Sequence, residues 1–363
     1  MGFFLRFFFY GIFVAAAGLF ASRLIEFLDV NKVIHTNVPG PCKFVKGVEH
    51  GAEDIAVLPS GVAILSTGRT RTGSQGNPAL MTFDFSTPQE AAKLLKLTGF
   101  KGALNPHGIS VYTESGQTYV YVVNHAPNTQ SPPSDTIERF LLNADGQGLT
   151  WEKSFRDSEF LGLNDLVVVG KDKFYTTNSF TMQSKLLREL EMIFFMVPLQ
   201  NVVYFDGKQG TVVLNGRYGS NGINVSPDKK FLYLSELTKK RISSFRIVSS
   251  LKLEPIDTKY LGSLPNSVDV DPETGDLWVG AFPSGLAGYA NWLGFANQIP
   301  SQALRIGVKD GKFAGSAEIY SDDGSVLSGA SVVVPYKRAI LLGTTDNKLL
   351  HCQLLSFNAA LKL

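Results

Sequence analysis

A weak unit recurs six times along this chain, and that periodicity constrains the fold more than any single motif. Each copy is a polar residue, an apolar strand-like run, a turn and a second apolar run. The first is Glu53-Asp54-Ile55-Ala56-Val57-Leu58, a Pro59-Ser60-Gly61 turn and residues 62–66. The second passes from Asn105-Pro106-His107-Gly108 through Ile109-Ser110-Val111 to Tyr119-Val120-Tyr121-Val122-Val123. The third opens at Asn164-Asp165 and resumes at Phe174-Tyr175 after Gly170. The fourth is Asn221-Gly222-Ile223-Asn224-Val225-Ser226-Pro227-Asp228 with Phe231-Leu232-Tyr233-Leu234. The fifth is Asn266-Ser267-Val268-Asp269-Val270-Asp271-Pro272 with Gly275-Asp276-Leu277-Trp278-Val279. The sixth is Ser328-Gly329-Ala330-Ser331-Val332-Val333-Val334 with Ile340-Leu341-Leu342. Copies spaced roughly 45 to 60 residues apart, with further apolar runs between them, suit four-stranded blades. The expected fold is all-β, a six-bladed β-propeller over residues 31–363.

A propeller turns this repetition into chemistry. If the first strand of each copy is the innermost strand of its blade, all six enter the central channel alike. Their opening residues, Glu53, His107, Asn164, Asn221, Asn266 and Ser328, then converge on one mouth. Side-chain oxygens dominate that set, and a ring of hard oxygen donors favours calcium over zinc or copper. Each Asn or Asp taken singly is an ordinary turn residue; their recurrence at one phase is what points to a shared site.

The N-terminus is different in kind. Residues 3–20 are apolar apart from Arg6 and small residues. An apolar core behind one Arg, followed by Ala15, Ala16, Ala17 and Ala21, fits a signal peptide. The same run is long enough to be a retained membrane span. Residues 1–30 are therefore read as a signal peptide or signal anchor, and both imply the secretory pathway. Cys42 and Cys352 flank the repeats and read as a disulfide in that oxidising compartment, the alternative being two free thiols. A formal net charge of +2 with no basic run argues against nucleic acid as a partner.

At this point the motifs resemble a known family. Cys42-Lys43-Phe44-Val45-Lys46-Gly47-Val48-Glu49, Gly51-Ala52-Glu53-Asp54, Asn105-Pro106-His107-Gly108-Ile109-Ser110, Val122-Val123-Asn124-His125, Leu163-Asn164-Asp165, Asn221 to Asp228 and Asp271 to Gly280 resemble, in order and spacing, the paraoxonase/arylesterase family. That resemblance implies two stacked calcium ions in the tunnel. The upper ion would be held by Glu53, Asn164, Asn221 and the fifth-blade position of Asn266, the lower by Asp54, Asp165 and the backbone carbonyl of Ile109. It implies a His107–His125 dyad that activates water, a Cys42–Cys352 disulfide and an N-terminal segment that is retained. The implied activity is calcium-dependent hydrolysis of aryl esters or lactones, with a small hydrophobic substrate and a membrane contacted through the N-terminal segment.

Two departures qualify the resemblance. The family's Asp-Asn pair on the fifth blade falls on Asn266-Ser267, removing a carboxylate from the upper site, and strict strand alternation places Asp269 out of reach. Ser179 and Phe180 replace polar residues after Asn178 and alter the pocket wall. Residues 184–198 read as an amphipathic helix, either a lid over the mouth or a helix packed on the propeller; residues 282–300 are a second aromatic, Gly-rich insertion. Asn224-Val225-Ser226 is a glycosylation sequon, although Pro227 follows it. The fifth-blade departure motivates an alternative function: a non-catalytic, calcium-stabilised propeller that binds a lipid or a protein.

Overall fold

The computed structural model describes residues 2–68, 77–125, 135–182, 184, 187, 191, 198–296, 298–345 and 347–355. It contains six sheets, each built mainly of antiparallel strands in chain order, the blades of a propeller. Blade one is Ile55–Val57, Val62–Thr67, Ala79–Asp84 and Lys93–Leu94. Blade two is Pro106–Glu114, Gln117–Asn124, Thr136–Leu142 and Gly148–Phe155, with Lys96–Thr98 added in parallel at its outer edge. Blades three, four and five open with the innermost strands Leu163–Gly170, Ser220–Val225 and Leu264–Val270. Blade six combines Ala330–Tyr336, Ala339–Thr344 and Leu350–Gln353 with Cys42–Phe44 from the other end of the chain. That last pairing closes the ring, and its first register pair, Cys42 opposite Cys352, is joined by a disulfide.

The core lies between blades. Side chains alternate across a strand, so each blade feeds two apolar layers. On blade four, Leu232 and Leu234 join Val167, Tyr175 and Val202 of blade three. Tyr233 and Ile242 face the other way, onto Val268, Leu277 and Val279 of blade five. The period-two pattern legible in the repeats is thus the pattern of inter-blade packing.

The alternation breaks at one place. The innermost strands of blades two to six shift register close to their openings, between Pro106 and Ile109, Leu163 and Leu166, Ser220 and Ile223, Pro265 and Val268, and Ala330 and Val332. Such bulges re-aim side chains and increase local twist. They also bring neighbouring inner strands into backbone contact. A Cβ on Gly222 would lie 2.5 Å from Val268 N and 2.6 Å from Asn266 O. At Gly108 it would lie 2.7 Å from Asn164 O. Only glycine admits this approach.

Helix α1 (Gly2–Leu28) stands apart from the blades and is long and apolar enough to cross a membrane. Its base alone is docked. Phe27 is buried with Leu264, Phe282 and Ile299. Lys240, 2% exposed, donates to Asp29 Oδ2 at 2.6 Å and to the Glu26 carbonyl at 2.8 Å. The insertion at 282–300 contributes α2 (Gly285–Trp292), capped by Ser284 Oγ, which accepts from Ala287 N. Gly285 lies against the Phe27 carbonyl, where no side chain would fit. The expected amphipathic helix over 184–198 falls, apart from Ser184, Leu187, Glu191 and Pro198, outside the described residues.

Two outcomes test this account of closure. Replacing both cysteines with serine should lower unfolding stability by about 2–5 kcal/mol, as the bond closes a loop with a sequence separation of 310; a denaturant titration showing no change would mean that strand pairing alone closes the ring. Gly222→Ala should cost about 1–3 kcal/mol, because the obstructing atoms are backbone, and equal thermal midpoints for variant and wild type would contradict the contact.

Candidate active site at the mouth of the propeller

The inner strands are joined around the ring by their polar residues. Asp54 Oδ2 of blade one accepts the Ile109 N–H of blade two at 2.7 Å. Asp165 Oδ2 of blade three accepts the Ile223 N–H of blade four at 2.9 Å, and its Oδ1 accepts its neighbour Leu166 N–H. Asn224 Nδ2 of blade four donates to the Val268 carbonyl of blade five at 3.2 Å. Ser331 Oγ of blade six donates to the Glu53 carbonyl at 2.9 Å. Glu53, Asp54, His107, Asp165, Asn221 and Asn266 are all buried, and Asn164 is half-buried. The sixth expected residue, Ser328, is used differently: its Oγ accepts the Ile299 N–H, and the innermost strand of blade six begins later, at Ala330.

His107 and His125, the pair that the family resemblance implies, lie side by side. His107 Nδ1 lies 3.2 Å from His125 Nε2, with ring centroids 5.1 Å apart. The other His107 nitrogen, Nε2, lies 3.1 Å from Glu53 Oε1. His125 Nδ1 lies 3.0 Å from Asp135 Oδ1. The result is a line of four groups, Asp135, His125, His107 and Glu53. Sequence reading found three of them. Asp135 was missed because residues 126–134 separate it from His125, yet the pairing of Asn124 with Thr136 puts the two residues next to this pair side by side.

Below the mouth a cavity of about 250 Å³ follows the axis, lined by Asp54, Asp165, Asn224, Ser267 and Asp269 among others. The bulge between Pro265 and Val268 interrupts strict alternation, and Asp269 lines this lower cavity beside Asp54 and Asp165. Its carboxylate faces the cavity, 3.4 Å from Asn224 Nδ2. Burial pushes the acidity of Asp54 to about 7, opposed by hydrogen bonds from Ile109 and Ile55 and reinforced by the Glu53 charge. Burial likewise raises Asp269 to about 7, with the Asp54 and Asp271 charges adding to it. Asp165 is driven well above the usual carboxylate range by burial and then by Asp54. Three crowded carboxylates therefore share one low-dielectric space. Among the described residues, Asn221 Oδ1 is buried at the mouth with no hydrogen-bond partner. Asn224 of the sequon lines the tunnel, its amide nitrogen donating to the Val268 carbonyl.

The pocket wall after Asn178 is also defined. Asn178 is wholly buried and holds the Leu161 and Gly162 N–H groups through Oδ1. Ser179 Oγ donates to the Ser220 carbonyl at the opening of blade four. Glu191 is buried, accepting from Thr181 N, Met182 N and Gln200 Nε2.

Comparison with known proteins gives the family. A family model described as Arylesterase matches residues 33–354. Serum paraoxonase/arylesterase 2 of Gallus gallus is 34% identical, the match covering 93% of this chain and 97% of that protein. Serum paraoxonase/arylesterase 1 of Homo sapiens is 34% identical over 92% and 94% of the two chains. Serum paraoxonase/lactonase 3 of Rattus norvegicus is 33% identical over 94% and 97%. Among solved structures, a gluconolactonase of Xanthomonas campestris superposes with a TM-score of 0.52 at 16% identity, covering 89% of this chain and 99% of that one, a likeness of fold. With the family model spanning nearly the whole chain and relatives above 30% identity matched almost end to end, this protein belongs to the arylesterase (paraoxonase) family.

Proposed function

We propose that this protein is a calcium-dependent hydrolase of aryl esters and lactones that acts on small hydrophobic substrates at the propeller mouth. The observation that carries the reading is the His107–His125 pair, seated beside the Glu53 carboxylate in a ring of oxygen donors. The donor set suits calcium: it is all oxygen, Asn221 Oδ1 is buried without a partner, and the axis concentrates carboxylate charge that a cation would relieve. Glu53, Asn164, Asn221 and Asn266 would hold the upper ion. Asp54, Asp165 and the Ile109 carbonyl would hold the lower, with Asp269 restoring to the tunnel a negative charge that Asn266-Ser267 does not supply. Calcium at the mouth supplies positive charge to polarise the ester carbonyl and stabilise the oxyanion that forms.

The protein's own residues handle the proton. His107 Nε2 is the ring nitrogen on the Glu53 side. Accepting a proton from water there makes His107 an imidazolium, and its Nδ1–H then donates to His125 Nε2 at 3.2 Å. The second ring thus shares the charge that develops on the first. Glu53 has two claims on it, as a cation ligand and as a partner of His107 Nε2. Sharing its charge with a cation leaves that nitrogen available to water.

Passage through the secretory route is supported by the Cys42–Cys352 disulfide, and α1 serves there as a signal or as a membrane anchor on the lumenal or extracellular face. The aromatic surface of α1 and the exposed Phe295 and Leu286 around α2 suit delivery of an apolar ester.

Chelation should abolish hydrolysis of a lactone and aryl-ester panel by the full chain in detergent, and added calcium should restore it. His107→Gln should lower kcat about 100-fold or more. A folded, calcium-replete protein without turnover would instead favour a binding module, the reading that Asn266-Ser267 motivates.

Stability should also depend on pH in the calcium-free protein. Asp54 and Asp269 titrate near 7 when folded and near 4 when unfolded. Between those values these two groups bind more protons in the folded chain, so their contribution to stability is fully present below about 4 and is lost as pH rises through about 7. Thermal unfolding across that window should show the fall, and saturating calcium should remove it.

A further inference from the structure

We propose that Asp135 is a positioning residue of the hydrolytic site, one that selects the tautomer of His125 and through it the basic nitrogen of His107. The inference rests on the hydrolase reading above and extends it to a residue outside the dyad.

The placement is built rather than incidental. Asp135 is 7% exposed and immediately precedes the strand Thr136–Leu142. Its two oxygens serve two tasks. Oδ1 lies 3.0 Å from His125 Nδ1, and Oδ2 accepts the Leu163 N–H of blade three at 2.9 Å. The carboxylate therefore cannot swing toward either partner without losing the other. Leu163 directly precedes Asn164, so the same side chain ties the histidine to the opening of the next blade. His125 is held from its backbone as well. Its N–H donates to the Asn105 carbonyl, and the preceding Asn124 accepts from Asn105 N and donates to the Ala103 carbonyl. Ring rotation is thus the freedom that remains, and Asp135 removes it.

The chemical consequence follows from proton counting. A neutral imidazole carries one ring proton, and a carboxylate beside Nδ1 requires that proton to sit there. His125 Nε2 is then a lone pair facing His107 Nδ1, which must be the donor between the rings. Neutral His107 has no second proton; with the Glu53 charge shared with the cation of the proposed site, its Nε2, 3.1 Å from Glu53 Oε1, is left as the base. Without the carboxylate, His125 is free to carry its proton on Nε2 and donate to His107 Nδ1. His107 would then hold its proton on Nε2, the atom that has to receive one from water. One carboxylate, two rings away from the substrate, decides whether the base is available, the same orienting logic as the third member of a catalytic triad.

The test compares full-length wild type with Asp135→Asn and Asp135→Glu, each in detergent with saturating calcium. Asp135→Asn should lower kcat about 100-fold or more while KM stays within twofold and the thermal midpoint within a few degrees; Asp135→Glu should recover at least tenfold of that loss. Nitrogen-15 NMR of histidine-labelled protein should show His125 protonated on Nδ1 in wild type and on Nε2 in Asp135→Asn. Wild-type His125 protonated on Nε2, or an Asp135→Asn enzyme with kcat within threefold of wild type, would overturn the proposal. If wild type hydrolyses nothing on the panel, the hydrolase reading fails, and the NMR comparison still decides whether Asp135 sets the tautomer.

Discussion

The inner edges of six sheets have to meet around one axis, and the rest of the structure depends on how their backbone groups are satisfied there. An innermost strand pairs on one side only; its other edge faces the tunnel. This chain fills that gap across blades: Asp54 takes the Ile109 N–H, Asp165 takes the Ile223 N–H, and Ser331 holds the Glu53 carbonyl. Where two backbones must touch, Gly108 and Gly222 leave the room. Buried polar groups without partners are costly, so the polar residues that begin each repeat are first of all what lets the ring close.

The same constraint creates the site. Carboxylates recruited to bind backbone N–H groups arrive at the axis together, around one buried cavity. Asp54, Asp165 and Asp269 are each pushed toward neutrality by burial, so the arrangement stores an electrostatic demand for a cation. Above them, the Asp135–His125–His107–Glu53 line reaches that charged axis at Glu53. Under the proposed function Glu53 would belong to both, so that a cation there would bear on the basicity of His107. The base of α1, fixed by Phe27 and by the buried Lys240, sets an apolar helix beside blades four and five.

Much of this was legible from one strand of residues. The six-fold repetition, the opening residues Glu53, His107, Asn164, Asn221 and Asn266, and the two terminal cysteines all stand in the sequence because they recur or because they mark its ends. Period-two alternation gave the strands and the inter-blade cores. Three features escaped for identifiable reasons. The bulge after Pro265 is a matter of hydrogen-bond register, invisible to a pattern that assumes strict alternation, and it returns Asp269 to the tunnel. Ser328 looked like a sixth ring member by phase, but the blade-six strand starts two residues later and Ser328 caps the Ile299 N–H instead. Asp135 lies 10 residues after His125, a spacing that no strand or helix period ties to it.

What the sequence by itself determined is the kind of fold, the family and the residues that open each inner strand, because these follow from periodicity and from local chemistry that each segment carries alone. Only the tertiary structure decided which of those residues face one another. His107 sits between Glu53 and His125, and Asp135 joins them, because four strands from two blades end within hydrogen-bond distance at the mouth. That convergence is a property of strand pairing within blade two and of its packing against blade one, and neither can be read from one strand alone.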